Sequence, residues 1–147
     1  DRSVVPSLDL HNFMGRWYEV ARFDHSFERG MSNVTAEYIL QSDGKVRVIN
    51  RGVRDGKQVE AIGKAKTTAE PGRLRVSFFM FFYSDYNIQE MGQNGEWVLI
   101  GSRSPKYLWI LSRKPKMSNE VINHILQLAR ERGYDTSKLI FDANYVE

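Results

Sequence analysis

Along most of the chain, apolar and polar positions alternate with a period of two, in short runs separated by turn residues. "KVRVINRGV" is the clearest run: Val46, Val48 and Asn50 share one face, and Arg47, Ile49 and Arg51 the other. "GRWYEVARFD", "NVTAEYIL", "QVEAIGKAKTTA", "LRVSF", "YNIQEM", "EWVLIGSR" and "YLWILSR" have the same extended character. Turn chemistry separates them at Ser42-Asp43-Gly44, Asp55-Gly56, Pro71-Gly72, Gly92 to Gly95 and Ser104-Pro105-Lys106. No helical pattern lies between the runs, so the connections are too short for parallel crossovers. The expected fold is mostly β, an antiparallel meander of about eight strands. Such a meander closes well into an up-and-down barrel, which removes exposed edges.

The period changes near the end. "MSNEVINHILQLARERG" places Val121, Ile122, Ile125, Leu128 and Ala129 on one helical stripe. Ser118 is the expected N-cap, Glu120 suits the positive end of the helix, and Gly133 is the expected stop. A one-sided stripe over residues 118–133 predicts a helix lying outside the barrel. "KLIFD", residues 138–142, is expected to add a short final strand. Residues 1–11 read as an N-terminal extension, and 1–147 as a single domain whose barrel spans 15–113.

Composition narrows the chemistry. The 147 residues suffice for one real core, and with 41% hydrophobic and 27% charged residues the chain is of ordinary globular make-up. No apolar run is long enough to cross a bilayer. The N-terminus lacks the apolar core of a signal peptide and does not begin with Met, which fits a processed or trimmed chain. With no cysteine there is no disulfide, thiol nucleophile or Cys-based zinc site. The net charge of +3 arises from interspersed Lys, Arg, Asp and Glu rather than a block, so nucleic acid is not an expected partner. His11, His25 and His124 lack metal-ligand spacing, and no nucleophile elbow or phosphate-binding glycine loop occurs. Glu28 of "FERG" reads as a surface or loop-pinning ion-pair partner before it reads as a catalytic group. No catalytic residue, metal or cofactor is expected.

Two longer stretches carry a family resemblance. Gly15-x-Trp17 opens the first strand, and Arg113 closes the eighth just before the helix. "GRWYEVARFDHSFERG" and "YLWILSRKP" resemble the bacterial lipocalins, a branch similar to apolipoprotein D and the plant temperature-induced lipocalins. The similarity runs from Asn12 to about Phe141. It implies that Trp17 closes the narrow end of the barrel and that Arg113 packs over its ring. Two features depart from the family. Its Thr-Asp-Tyr motif belongs where this chain reads "EMGQNGEW"; Ser84-Asp85-Tyr86 falls one hairpin too early and is not assigned to it. The lipidated N-terminal Cys common in bacterial members is also absent.

The resemblance implies non-covalent carriage of hydrophobic small molecules, for this branch fatty acids or lysophospholipids, in the periplasm or at the outer membrane of a bacterial envelope. The chain is expected to be a monomer or weak homodimer, with peripheral membrane contact left open. Alternatives are a lipocalin for a pigment or retinoid-like ligand, and an enzyme on the same fold.

Strand parity in such a barrel turns Tyr38, Val46, Val48, Asn50, Val76, Phe78, Val98, Ile100, Trp109 and Leu111 inward, with Tyr107 nearer the mouth. Asn50 could orient a head group. Small residues at Ala36, Ala61, Gly63 and Ala65 argue for internal space. The sixth strand offers either Tyr86 and Ile88 or Asn87 and Gln89. The connection from Met80 to Asp85 is expected at the open end, with the loops 24–33, 54–57 and 102–106. Phe81, Phe82 and Tyr83 then either line that rim or fold back as loop core.

Overall fold

The computed structural model describes residue 1, residues 3–79 and residues 82–147; the side chains of Phe79, Phe82 and Tyr83 are also outside the description. Eight antiparallel strands form the barrel: β1 (Gly15–Phe23), β2 (Ser32–Leu40), β3 (Val46–Arg54), β4 (Lys57–Thr67), β5 (Arg73–Phe79), β6 (Phe82–Met91), β7 (Trp97–Gly101) and β8 (Leu108–Ser112). Each pairs with the next, and β1 pairs with both β2 and β8, so the sheet closes on itself. A short helix, α1 (Leu10–Phe13), precedes β1 with Asp9 as its N-cap. At four residues it is too brief to leave a periodic trace in the sequence.

The outer helix is α2 (Asn119–Glu131). The Ser118 side chain accepts from the Val121 backbone N–H, Glu120 lies in the first turn, and Gly133 adopts a left-handed φ of +96° just past the end. Ile122, Ile125 and Ala129 are buried against Val20, Phe23, Leu99, Leu108 and Ile110 of the barrel's outer face. β1 is thus covered on both faces: Trp17 and Glu19 point inside, Val20 and Phe23 under the helix. A final strand, β9 (Leu139–Phe141), pairs with the end of β1 outside the closed barrel. Arg132 fastens the helix end through Glu90 Oε2 (2.7 Å), the Gln89 carbonyl (2.8 Å) and the Ser3 carbonyl (2.8 Å).

One connection differs from expectation. β5 runs to Phe79 and β6 begins at Phe82, with Phe79 paired to Phe82; Met80 and Phe81 lie outside the described residues. Ser84 and Asp85 lie within the strand instead, opposite Val76 and Arg75, and Arg75 Nη1 meets Asp85 Oδ1 at 3.1 Å. Aromatic residues are strong strand formers, so the pairing continues through a segment whose Ser and Asp resemble a loop.

The narrow end is closed by the α1–β1 corner. Trp17 is 1% exposed, its ring lies 5.2 Å from Phe13, and its indole N–H donates to the Phe13 carbonyl (2.8 Å). Arg113 covers the other side, its guanidinium carbon 3.9 Å from the Trp17 ring centroid, and donates to the Arg16 carbonyl (3.0 Å) and the Asn12 carbonyl. Gly15 has a φ of +95°, a conformation that side-chain-bearing residues rarely adopt, so glycine suits the first residue of the strand, where Arg113 Nη1 lies 3.4 Å from the position of a Cβ.

Candidate functional site: the barrel cavity

Above this floor the barrel encloses a cavity of about 600 Å³. That lies within the range of roughly 300–1,000 Å³ typical of small-ligand sites. Val34, Val48, Val76, Phe78 and Leu111 give it apolar walls. His25, Phe27, Glu28 and Met31 from the β1–β2 loop, Arg54 at the β3–β4 turn, and Ser102 and Tyr107 near the β7–β8 connection line it at the open end.

Of the residues that strand parity turned inward, Tyr38, Val48, Asn50, Val76, Phe78, Tyr107, Trp109 and Leu111 lie on the cavity wall. Val46, Val98 and Ile100 do not: they are buried in the floor cluster with Phe13, Trp17, Leu74 and Ile88. Their inward parity is right, but they sit one layer too low. In an eight-stranded barrel the interior is narrow enough for side chains to fill it wherever large residues meet. Phe81 lies outside the described residues, as do the side chains of Phe82 and Tyr83. Ala36 and Ala61 line the cavity, whereas Ala65 is in the floor. On β6 the inward pair is Tyr86, on the wall, and Ile88, in the floor. Gln89 instead faces out to the Tyr134 hydroxyl, at 2.8 Å.

The upper wall is polar and aromatic in a way the pattern did not expose. Glu28 is 9% exposed; its Oε1 accepts from His25 Nε2 (2.7 Å) and from the Trp109 indole N–H (3.0 Å). Glu19 is 6% exposed, and its Oε2 accepts from Arg22 Nη1 at 3.3 Å. Arg22 also pairs with Asp24 (3.2 Å) and donates to the backbone carbonyls of Glu28 (2.8 Å) and Met31 (3.2 Å), which pins the loop over the cavity. Burial, reinforced by the negative charge of Glu28, pushes the Glu19 carboxyl well above the usual carboxylate range. Burial works against ionising Glu28 too. Hydrogen bonding from the neutral Glu19 carboxyl, from His25 and from Trp109 outweighs it and holds Glu28 at about 2. Burial thus favours the protonated form of Glu19 beside an ionised Glu28.

Aromatic rings surround that charge. Tyr107 and Trp109 are stacked, with centroids 5.9 Å apart and planes 13° apart. His25 meets them edge-on at 5.6 and 5.7 Å. Tyr86 lies 5.7 Å from Trp109, and its hydroxyl bonds that of Tyr38 at 2.6 Å. Burial raises the pKa of both phenols, so the bridge between them stays protonated. Among the described residues, the buried side-chain atoms without a hydrogen bond of normal geometry are His25 Nδ1, Glu28 Oε2 and the two amide atoms of Asn87. No group of His, Asp and Glu suited to holding a metal ion occurs among the described residues.

Sequence reasoning missed Glu19 and His25 as wall residues and left Tyr86 as one of two alternatives. The signal for Glu19 was there: it follows Trp17 by two positions and must share its face. Its charge argued for solvent, and an isolated period-two pattern cannot overrule that.

A "Lipocalin-like domain" family model matches residues 8–144. The chain belongs to the lipocalin family. The lipocalin is 42% identical over 142 residues to a protein of Vibrio cholerae named outer membrane lipoprotein Blc, covering 93% of this chain and 83% of that one. It is 33% identical over 150 residues to temperature-induced lipocalin-1 of Arabidopsis thaliana, covering 95% and 81%. Among solved structures, insecticyanin of the tobacco hornworm Manduca sexta superimposes with a TM-score of 0.79 at 20% identity, covering 100% of the lipocalin and 89% of that chain. That likeness shows the shared barrel.

Proposed function

We propose that this lipocalin binds single-chain lipids, fatty acids or lysophospholipids, non-covalently in its barrel and carries or stores them in the bacterial envelope. The observation behind this reading is the cavity: about 600 Å³, apolar along its walls, closed below by Trp17 and open above. An acyl chain fits such a space, with a polar head left among the polar groups of the mouth. The envelope setting rests on the bacterial relatives named as outer membrane lipoproteins. In this reading the protein is a carrier rather than an enzyme, and Tyr38, Val48, Asn50, Val76, Phe78, Tyr107, Trp109 and Leu111 contact the ligand.

Burying about 14 methylenes contributes at most about 11 kcal/mol at roughly 0.8 per methylene. Ordering the flexible chain removes several kcal/mol of that. Dissociation constants near micromolar or somewhat tighter follow. Native mass spectrometry of delipidated protein incubated with extracted bacterial lipids should show one-to-one adducts with single-chain species. Spectra showing the bare protein alone at every lipid concentration would defeat the proposal.

A further inference from the structure

We propose that the Tyr38 and Tyr86 hydroxyls form a hydrogen-bonding subsite deep in the cavity, which takes a neutral oxygen carried towards the far end of a single-chain ligand. The ligands it favours are acyl chains with a hydroxyl or keto group remote from the head. This rests on the reading of the cavity as an acyl-chain site and adds a feature of the chain that the cavity recognises.

The two hydroxyls bring two O–H donors and make one bond to each other, at 2.6 Å. Whichever oxygen donates, one hydrogen is left over. Among the described residues, neither hydroxyl makes a further hydrogen bond. Both side chains line the cavity, and a hydroxyl hydrogen rotates to suit its surroundings, so the spare donor can turn towards the space a ligand would fill. A phenol enclosed by apolar groups holds an unused donor at a cost. Burial keeps both phenols protonated, so the donor persists at ordinary pH.

Depth sets what the pair can meet. Tyr38 is 3% exposed and belongs to the floor cluster, its ring 5.0 Å from Phe13. Tyr86 packs against the same cluster and lies 5.7 Å from Trp109. The hydroxyls therefore stand between the floor and the aromatic groups of the upper wall. Val48, Val76, Phe78 and Leu111, which also line the chamber, have no side-chain donor or acceptor. An acyl chain that enters tail first brings its far end towards the pair. A bare methyl end leaves the spare O–H without an acceptor, whereas a hydroxyl or ketone oxygen supplies one. A carboxylate in the same place would lose its hydration in exchange for O–H donors alone, a far larger cost than drying a neutral oxygen.

The test compares hexadecanoate, 16-hydroxyhexadecanoate and 2-hydroxyhexadecanoate, each below its micelle concentration, by displacement of bound cis-parinaric acid. It uses the wild type and the double variant Tyr38→Phe/Tyr86→Phe, which keeps both rings. The cost of drying the ligand hydroxyl is common to the two proteins and cancels between them. In the wild type the 16-hydroxy chain should bind within about threefold of hexadecanoate. In the variant it should fall at least about tenfold behind, the loss expected when a buried hydroxyl goes unpaired. The 2-hydroxy chain, whose oxygen stays near the head, should keep the same ratio to hexadecanoate in both proteins. If the double variant does not fold, 15-oxohexadecanoate in the wild type carries the test: its ketone infrared stretch should lie below the value in a hydrocarbon solvent, and an unshifted stretch overturns the subsite. An equal 16-hydroxy ratio in the two proteins, or a 2-hydroxy ratio that moves as much, also overturns it while leaving the acyl-chain reading intact. Failure of all the chains to bind overturns both.

Discussion

The two ends of this barrel are built from similar materials to opposite effect. At the closed end, an indole, a phenyl ring and branched aliphatics pack together, and Arg113 covers Trp17 with its donors on backbone carbonyls. At the open end, indole, phenol and imidazole rings lie around a carboxylate pair, and His25 Nδ1 and Glu28 Oε2 there make no hydrogen bond of normal geometry. The floor resolves its polar groups within the chain. The mouth leaves some unresolved, and that difference separates a structural constellation from one poised for a ligand.

The comparison breaks first if the floor is not structural. Trp17→Ala should cost about 3–5 kcal/mol, as large aromatic truncations in cores do. A thermal melt matching the wild type would show that the floor is held otherwise. Arg113→Met should cost less, about 1–2 kcal/mol, because it removes one cation–π contact and backbone hydrogen bonds at a half-buried position. Lipid affinity should be nearly unchanged in that variant; a large loss would mean that floor and mouth act as one unit.

The carboxylate pair sharpens the comparison through pH. The folded pKa of Glu19 is raised, so its contribution to stability is full below the unfolded value, near 4.3, and declines as pH rises towards the folded value. Glu28 has the opposite sign: its contribution is full above about 4.3 and is lost as pH falls through about 2. Glu19→Gln should therefore flatten the stability curve above the unfolded value near 4.3, where the wild type loses stability as pH rises, as read by urea unfolding. Curves of equal slope for variant and wild type would show that Glu19 is ionised in the fold. The smallest effect is expected at the rim: replacing Phe81 and Phe82 with Ser should change stability by within about 0.5 kcal/mol if they are exposed there. It should still slow lipid capture from vesicles. A marked drop in melting temperature would identify this stretch as packing.

Much of the frame is readable from local chemistry. Asp55 and Gly56 both take positive φ, 53° and 74°, between the paired residues Arg54 and Lys57, as their side chains foretell. The same holds for Ser118 capping α2 and for the stripe that seats Ile122, Ile125 and Ala129. What period two cannot express is depth. Val46 and Val48 share a face and a strand, yet one is packed into the floor and the other lines the cavity, because depth depends on what Phe13, Leu74 and Ile88 fill from other strands. Charge misleads for a related reason. Glu28 reads as a surface residue until a loop carries it over the barrel to meet Trp109, eighty-one positions further along the chain.

The placement of the three tryptophans makes the molecule its own optical instrument. Trp17 lies in the floor beneath a guanidinium, Trp97 under the outer helix beside His124, and Trp109 on the cavity wall with its N–H on a carboxylate. Each indole samples a different electric field and a different degree of contact with whatever fills the chamber. Emission from a variant that keeps Trp109 alone would follow occupancy, and emission from one that keeps Trp97 alone would follow the seating of the helix. One spectrum can therefore be separated into filling, closure and unfolding without attaching a dye.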